Sequence, residues 1–130
     1  MAGPVGIVLV SHSAGLATGL REMLLQLGAD AAAVAAAGGT DDGRIGTSYQ
    51  RILAAAEAVD RGAGVLLLTD LGSAVLTARA VLADHPRDDV QLVDAPFVEG
   101  AVAAAVIAAT GADLASVRAA AEEARDVRKL

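Results

Sequence analysis

Two short apolar runs, neither of them alternating, constrain this chain most. VGIVLV from Val5 to Val10 and VLLLT from Val65 to Thr69 carry apolar side chains at nearly every position. A strand with one wet face alternates apolar and polar residues, because successive side chains point to opposite sides. A strand that is apolar throughout must be covered on both faces, as in a parallel sheet sandwiched by helices. VQLV at Val90–Val93 is a shorter run of the same kind. DAAAVAAA, Asp30–Ala37, is ambiguous by composition, since alanine favours helix. It is short, Gly28 and Gly38-Gly39 bracket it, and the strand–helix rhythm around it makes it a strand.

Helical patterns fill the intervals. Leu16, Leu20, Met23, Leu24 and Leu27 repeat at helical spacing and stop at Gly28, which suits a C-terminal cap. Thr47-Ser48-Tyr49-Gln50 has the form of a capping box, with Ile52, Leu53, Ala56 and Val59 following on one face. Ser73 is placed to cap a helix running to about Ala83, and Pro96 precedes one from about Val98 to Ala109. Asp113 can cap a last helix carrying Leu114 and Val117, ahead of a charged tail. The expected fold class is therefore α/β: a doubly wound parallel sheet with helices on both faces and right-handed crossovers. Its simplest strand order is 2-1-3-4, in a single domain over residues 1–130. That order puts the switch point, where such sheets take ligands, between the first and third strands.

Composition removes several classes of function. The net charge is −6, and nucleic-acid binding needs a basic footprint to displace counterions from phosphates. Tyr49 and Phe97 are the only aromatics, so bases find no stacking platform. With no cysteine there is neither disulfide nor thiolate chemistry. No Lys or Arg precedes the apolar run at Val5, which does not read as a signal peptide. The longest apolar run, between Glu99 and Asp113, is too short to cross a bilayer. A soluble, cytoplasmic protein with no bound metal or cofactor of its own is the expectation.

The carboxyl ends of the first and third strands should face each other across the crevice. They read Ser11-His12-Ser13 and Asp70-Leu71-Gly72-Ser73. Imidazole is a good nucleophile near neutral pH. A carboxylate on one ring nitrogen would fix the tautomer, free the other nitrogen and stabilise the cation that phosphorylation develops. Asp70 is the candidate for that role. Ser13, the helix start after His12, and the Gly72-Ser73 helix start could supply donors to phosphoryl oxygens, and phosphoryl transfer asks mostly for positioning and charge stabilisation. From these residues alone His12 could equally close a strand and bond locally, and Asp70 could be a turn or cap residue. His85, in the polar turn Asp84-His85-Pro86-Arg87, carries no assigned role. Gly38-Gly39-Thr40-Asp41-Asp42-Gly43 matches neither a Walker loop nor GxGxxG, and its paired aspartates read as solvated rather than as a Mg²⁺ site.

Five blocks in register carry more than pattern: Val10-Ser11-His12-Ser13, Gly38-Gly39-Thr40, Ile45-Gly46-Thr47-Ser48, Asp70-Leu71-Gly72-Ser73-Ala74 and Ala95-Pro96-Phe97-Val98-Glu99-Gly100-Ala101. Together they closely resemble the DhaM family, the phosphotransferase subunits of phosphoenolpyruvate-dependent dihydroxyacetone kinase. Their domain is similar to the IIA domain of the mannose-type sugar phosphotransferase system. The resemblance runs from about Val5 to Val117 and implies a relay. Enzyme I charges the phosphocarrier HPr, and HPr phosphorylates the family's histidine. That histidine rephosphorylates an ADP held on the kinase's nucleotide subunit, DhaL, and the ATP formed phosphorylates dihydroxyacetone on a third subunit. Carried onto this chain, His12 is the phosphorylated residue and Asp70 its orienting partner, with Gly39, Thr40, Gly72 and Ser73 lining the phosphate site. The same resemblance implies a homodimer. The mannose-type sugar branch is the alternative, but its loop after the equivalent aspartate is longer than the compact DLGSA here. Two other classes compete. A receiver domain would use Asp70 as acceptor, but it needs an acidic cluster where this chain has Ser11-His12-Ser13. A non-catalytic ligand-binding module would carry no acid-labile, base-stable phosphate. A histidine phosphatase is disfavoured, since no arginine directly flanks His12 to clamp a phosphate.

Overall fold

The computed structural model describes residues 3–130. Strand β1 (Gly6–Ser11) leads into helix α1 (Ala14–Gln26), a 3-10 turn (Ala31–Ala33) and β2 (Val34–Gly38). Helix α2 (Tyr49–Val59), β3 (Val65–Thr69), α3 (Gly72–Asp84) and β4 (Val90–Leu92) follow. Helices α4 (Phe97–Ala108) and α5 (Leu114–Glu123) and a 3-10 turn (Ala124–Asp126) complete the chain. The four strands are parallel in the order β2-β1-β3-β4, the order expected from the sequence.

Alternate residues of the central strands go to opposite cores. Ile7, Leu9, Leu66 and Leu68 meet Leu20 and Leu24 of α1, Ala101 and Ala104 of α4, and Val117 and Ala121 of α5. Val8, Val10, Val65 and Leu67 meet Ile52 and Val59 of α2, and Ala74, Ala78 and Val81 of α3. Leu66, Leu67 and Leu68 are all fully buried, each worth on the order of 1.5–3 kcal/mol in transfer free energy. Right-handed crossovers account for the layering: the chain leaves β1 in one direction through α1, and passes back over β1 to β3 through α2. Among the described residues no helix is long and apolar enough to cross a membrane.

Local chemistry explains where the chain departs from the pattern. Asp30–Ala37 is not strand throughout: the Asp30 carboxylate accepts from the Ala32 N–H at 2.9 Å, holding a turn over Ala31–Ala33, and strand begins at Val34. The α2 cap is Ser48 rather than Thr47. Its hydroxyl accepts from Arg51 N–H at 3.1 Å, so Gln50 does not close a capping box. No side chain caps α3; Leu71 stands at that position, and Ser73 lies inside the first turn. On α1 only Ala17, Leu20 and Leu24 are buried, while Leu16, Met23 and Leu27 of the same apolar pattern are exposed. That helix does end as expected. Gly28 has φ +103°, and Gly28 N–H and Ala29 N–H reach back to the carbonyls of Leu25 and Leu24 at 3.1 and 3.0 Å.

Gly38 closes β2 where it passes the start of α1. A Cβ there would lie 2.5 Å from Ser13 O and 2.9 Å from Ala14 Cα. Both are backbone atoms, which cannot swing away as a flexible side chain would. Gly38→Ala is therefore expected to destabilise the fold by about 1–3 kcal/mol. Urea unfolding checks this; a midpoint equal to the wild type's would show that the approach imposes no constraint.

Candidate functional site

The register of the sheet brings His12 and Asp70 together. Val10 pairs with Thr69 across β1 and β3, and Asp70 N–H donates to Val10 O at 3.1 Å. The residues just past both strand ends therefore share the switch-point crevice. His12 Nδ1 lies 3.0 Å from Asp70 Oδ1. The same carboxylate accepts from His12 N–H at 3.0 Å, Leu71 N–H at 2.7 Å and the Ser11 hydroxyl at 2.9 Å. Burial would push the Asp70 carboxyl up. The His12 backbone N–H, the His12 ring, Leu71 N–H and the Ser11 hydroxyl outweigh that and hold it below the ordinary carboxylate value.

An ionised carboxylate only accepts, so the Nδ1 position of His12 carries the hydrogen and Nε2 keeps the lone pair. The Ser73 Oγ lies 2.6 Å from Nε2 and donates to it. The His12 side chain is 17% exposed and that of Asp70 only 9%: the imidazole reaches solvent while the carboxylate behind it stays largely dry. Two helices begin beside it. Ser13 caps α1, accepting from Leu16 N–H at 3.2 Å, which leaves its own hydroxyl proton to donate. With no side-chain cap on α3, the N–H groups of Gly72 and Ser73 have no partner among the described residues, since the bond in that turn runs from Ala74 N–H to Leu71 O. Helix starts of this kind attract phosphate oxygens.

Gly39 lies beside the start of α1, where an added Cβ would come 3.5 Å from Ala14 N, and Thr40 follows it in the loop. Gly39 N–H donates to Ser11 O at 3.1 Å, and Thr40 N–H to Arg44 O at 2.9 Å. The Thr40 hydroxyl is taken by Asp42. No hydrogen bond joins either residue to the His12 ring among the described residues; the loop touches His12 through Gly46 N–H, 2.9 Å from His12 O. Asp41 and Asp42 are engaged within the same loop. Asp41 accepts from the Ser48 hydroxyl at 2.5 Å and faces Arg51 at 3.5 Å, and Asp42 faces Arg44 at 3.3 Å. Arg51 also donates to Gly38 O at 3.0 Å, and the hydroxyls of Thr47 and Thr77 bond at 2.6 Å, tying the loop to α2 and α3. Among the described residues, no three His, Asp or Glu side chains are grouped so as to hold a metal ion. His85 closes α3 and faces the Tyr49 ring at 6.4 Å.

One site residue escapes a reading of the sequence: Ser11, which is fully buried. As well as donating to Asp70, its oxygen accepts from Ser13 N–H at 3.0 Å. The signal was a polar residue ending a strand otherwise buried on both faces, where it needs a partner.

The site is thus an imidazole backed by a carboxylate between two helix starts, an arrangement able to hold a phosphoryl group. Residues 6–118 match the family model EIIA-man, described as the PTS system fructose IIA component. The phosphoryl donor subunit DhaM of the PEP-dependent dihydroxyacetone kinase of Escherichia coli is 42% identical over 119 residues, which cover 87% of this chain and 25% of that protein. The chain thus spans about a quarter of that relative. DhaM of kinase 2 of Listeria innocua is 37% identical, over 78% of this chain and 84% of its own length. The phosphotransferase subunit DhaM of the PTS-dependent kinase of Lactococcus lactis is 32% identical, over 87% and 89%. The crystal structure of EF1359, titled a protein of unknown function, superposes with a TM-score of 0.78 at 36% identity, covering 92% of this chain and 94% of that one. The chain belongs to the EIIA-man family of phosphotransferase-system IIA components, as a DhaM-type member.

Proposed function

We propose that His12 Nε2 accepts a phosphoryl group from phospho-HPr and passes it to ADP held on the nucleotide subunit of a dihydroxyacetone kinase. The observation that carries this reading is the His12–Asp70 contact at 3.0 Å, which leaves Nε2 as the nucleophile at the crevice mouth. In the first transfer the Nε2 lone pair forms the new N–P bond as the bond from phosphorus to the donor breaks, and the donor group leaves with that bond's electrons. The Nδ1 hydrogen stays in place, so the ring becomes cationic, and the Asp70 carboxylate balances it. The Ser73 hydroxyl turns from Nε2 to a phosphoryl oxygen, joined by Gly72 N–H, Ser73 N–H and the Ser13 hydroxyl. In the second transfer the N–P bond breaks toward the terminal phosphate of ADP, and Nε2 recovers its lone pair.

Because the chain has a net charge of −6, free nucleotide is not drawn to it. In-line transfer also needs a fixed approach, which a docked partner supplies. The phosphorylated chain should therefore discharge rapidly to ADP bound to the nucleotide subunit and at least about 100-fold more slowly to free ADP, the scale on which lost positioning costs rate. Following loss of label with each acceptor tests this. Rapid discharge to the IIB component of a sugar permease, with none to the kinase subunit, would place the chain in the sugar branch.

A further inference from the structure

Ser11 links two things that the transfer chemistry needs fixed relative to each other. Ser13 N–H, at the start of α1, donates to Ser11 Oγ at 3.0 Å; Ser11 Oγ–H donates to Asp70 Oδ2 at 2.9 Å; His12 Nδ1–H meets Asp70 Oδ1 at 3.0 Å. Each direction is forced, because a carboxylate only accepts and a backbone N–H only donates. Among the described residues Asp70 accepts four hydrogen bonds, two on each oxygen: the Ser11 hydroxyl and His12 N–H on Oδ2, Leu71 N–H and the His12 ring on Oδ1. Three of these donors lie in the backbone or ring of the adjoining loops. The fourth is the Ser11 side chain, on a residue with no exposed surface at the end of β1.

Two observations separate Ser11 from a strand-end serine that merely satisfies itself. Its hydroxyl bonds neither its own backbone nor a preceding carbonyl, the usual local choices of serine. It spans instead 59 residues to the carboxylate behind the nucleophile. Its oxygen also takes the N–H of the residue that caps α1, so the helix start and the carboxylate plane are held by one atom.

We infer that Ser11 is a positioning residue for phosphoryl transfer: its hydroxyl fixes the carboxylate plane of Asp70, and through Asp70 the tautomer and aim of His12. The inference rests on the phosphohistidine reading above. Without the hydroxyl, Oδ2 keeps one donor, the carboxylate can rotate about its Cβ–Cγ bond, and the Nδ1 bond loosens. Ser13 N–H then loses its acceptor as well.

Ser11→Thr and Ser11→Val test this at constant shape, since they differ only in the hydroxyl and both suit a strand. Uptake of label from phospho-HPr by the full chain is measured for each, alone and combined with Asp70→Asn, alongside the NMR signals of the His12 ring. Ser11→Val should lower the uptake rate by about 10- to 100-fold, the scale for the hydrogen-bonded support behind a working side chain. Ser11→Thr should stay at least about fivefold faster than Ser11→Val, and in Asp70→Asn that gap should shrink below about twofold, because both changes act through one group. The Nδ1–H proton should resonate further upfield in Ser11→Val than in Ser11→Thr. Equal rates for the two variants, or a gap that persists undiminished in Asp70→Asn, would overturn the inference. If the wild-type chain takes no label from phospho-HPr, the proposed function fails, and the ring signals alone decide on Ser11: identical signals in the two variants overturn it.

Discussion

His12→Gln takes up no label from phospho-HPr. The expected loss is complete to the limit of detection, because the proposed transfer uses the His12 Nε2 lone pair and glutamine offers none of comparable basicity. The fold should survive. His12 contributes an exposed ring edge and its bond to Asp70, so the change should cost about 1–3 kcal/mol, the worth of a hydrogen bond to a charged group. His85→Gln serves as the control and should label at the wild-type rate, since that ring lies at the far end of α3 against Tyr49. Comparing label incorporation with the urea midpoint for both variants separates chemistry from folding. Wild-type labelling of His12→Gln would remove the site assignment altogether.

Asp70→Asn keeps the shape and loses the charge. Asparagine can still accept from Nδ1–H through its oxygen, but it cannot balance the cation that forms as Nε2 is phosphorylated. Its amide also puts a donor where Oδ2 now accepts from Ser11 and His12 N–H. The transfer rate should fall by about 10²–10⁴, the range for losing a positioned charge behind a catalytic imidazole. A loss below about threefold would make Asp70 a structural cap. The same substitution has a signature in stability. The folded carboxyl sits below its ordinary value of 3.8, so its contribution is present in full above that value and is lost as pH falls through the lower, folded value. Wild-type stability should thus decline on acidification through this range. Asp70→Asn should be less stable at pH 7 and show a shallower decline, as read by urea midpoints across pH.

The sheet was legible because burial on both faces leaves no room for alternation, and VGIVLV and VLLLT state that directly. The meeting of His12 and Asp70 followed from strand order, since each stands just past the end of a strand and those strands are neighbours. Short-range signals were weaker wherever a tertiary partner competed for the same atom. Ser73 reads as a cap, but its hydroxyl is claimed by His12 Nε2. Thr47 and Ser48 are adjacent hydroxyls, and nothing local decides which caps α2; Thr77 takes the first and leaves the second to the helix. The resemblance places Gly39 and Thr40 at the phosphate site; here the Gly39 N–H goes to Ser11 O of β1, while the Thr40 N–H and hydroxyl close the loop on Arg44 and Asp42. The alanines after Asp30 gave no β-branched signal to oppose the aspartate's preference for a turn. Ser11 reads as a loop residue just past the run Val5–Val10; it ends β1 instead, and its hydroxyl's partner lies 59 residues away.

The proposed chemistry of His12 comes down to one covalent bond. Incubating the wild-type chain with enzyme I, HPr and labelled phosphoenolpyruvate, then mapping the labelled residue and resolving its ring nitrogen by NMR, tests it directly. The expected result is a single acid-labile, base-stable phosphate on Nε2 of His12. Label on an aspartate, on His85 or on Nδ1, or no label at all, would contradict it.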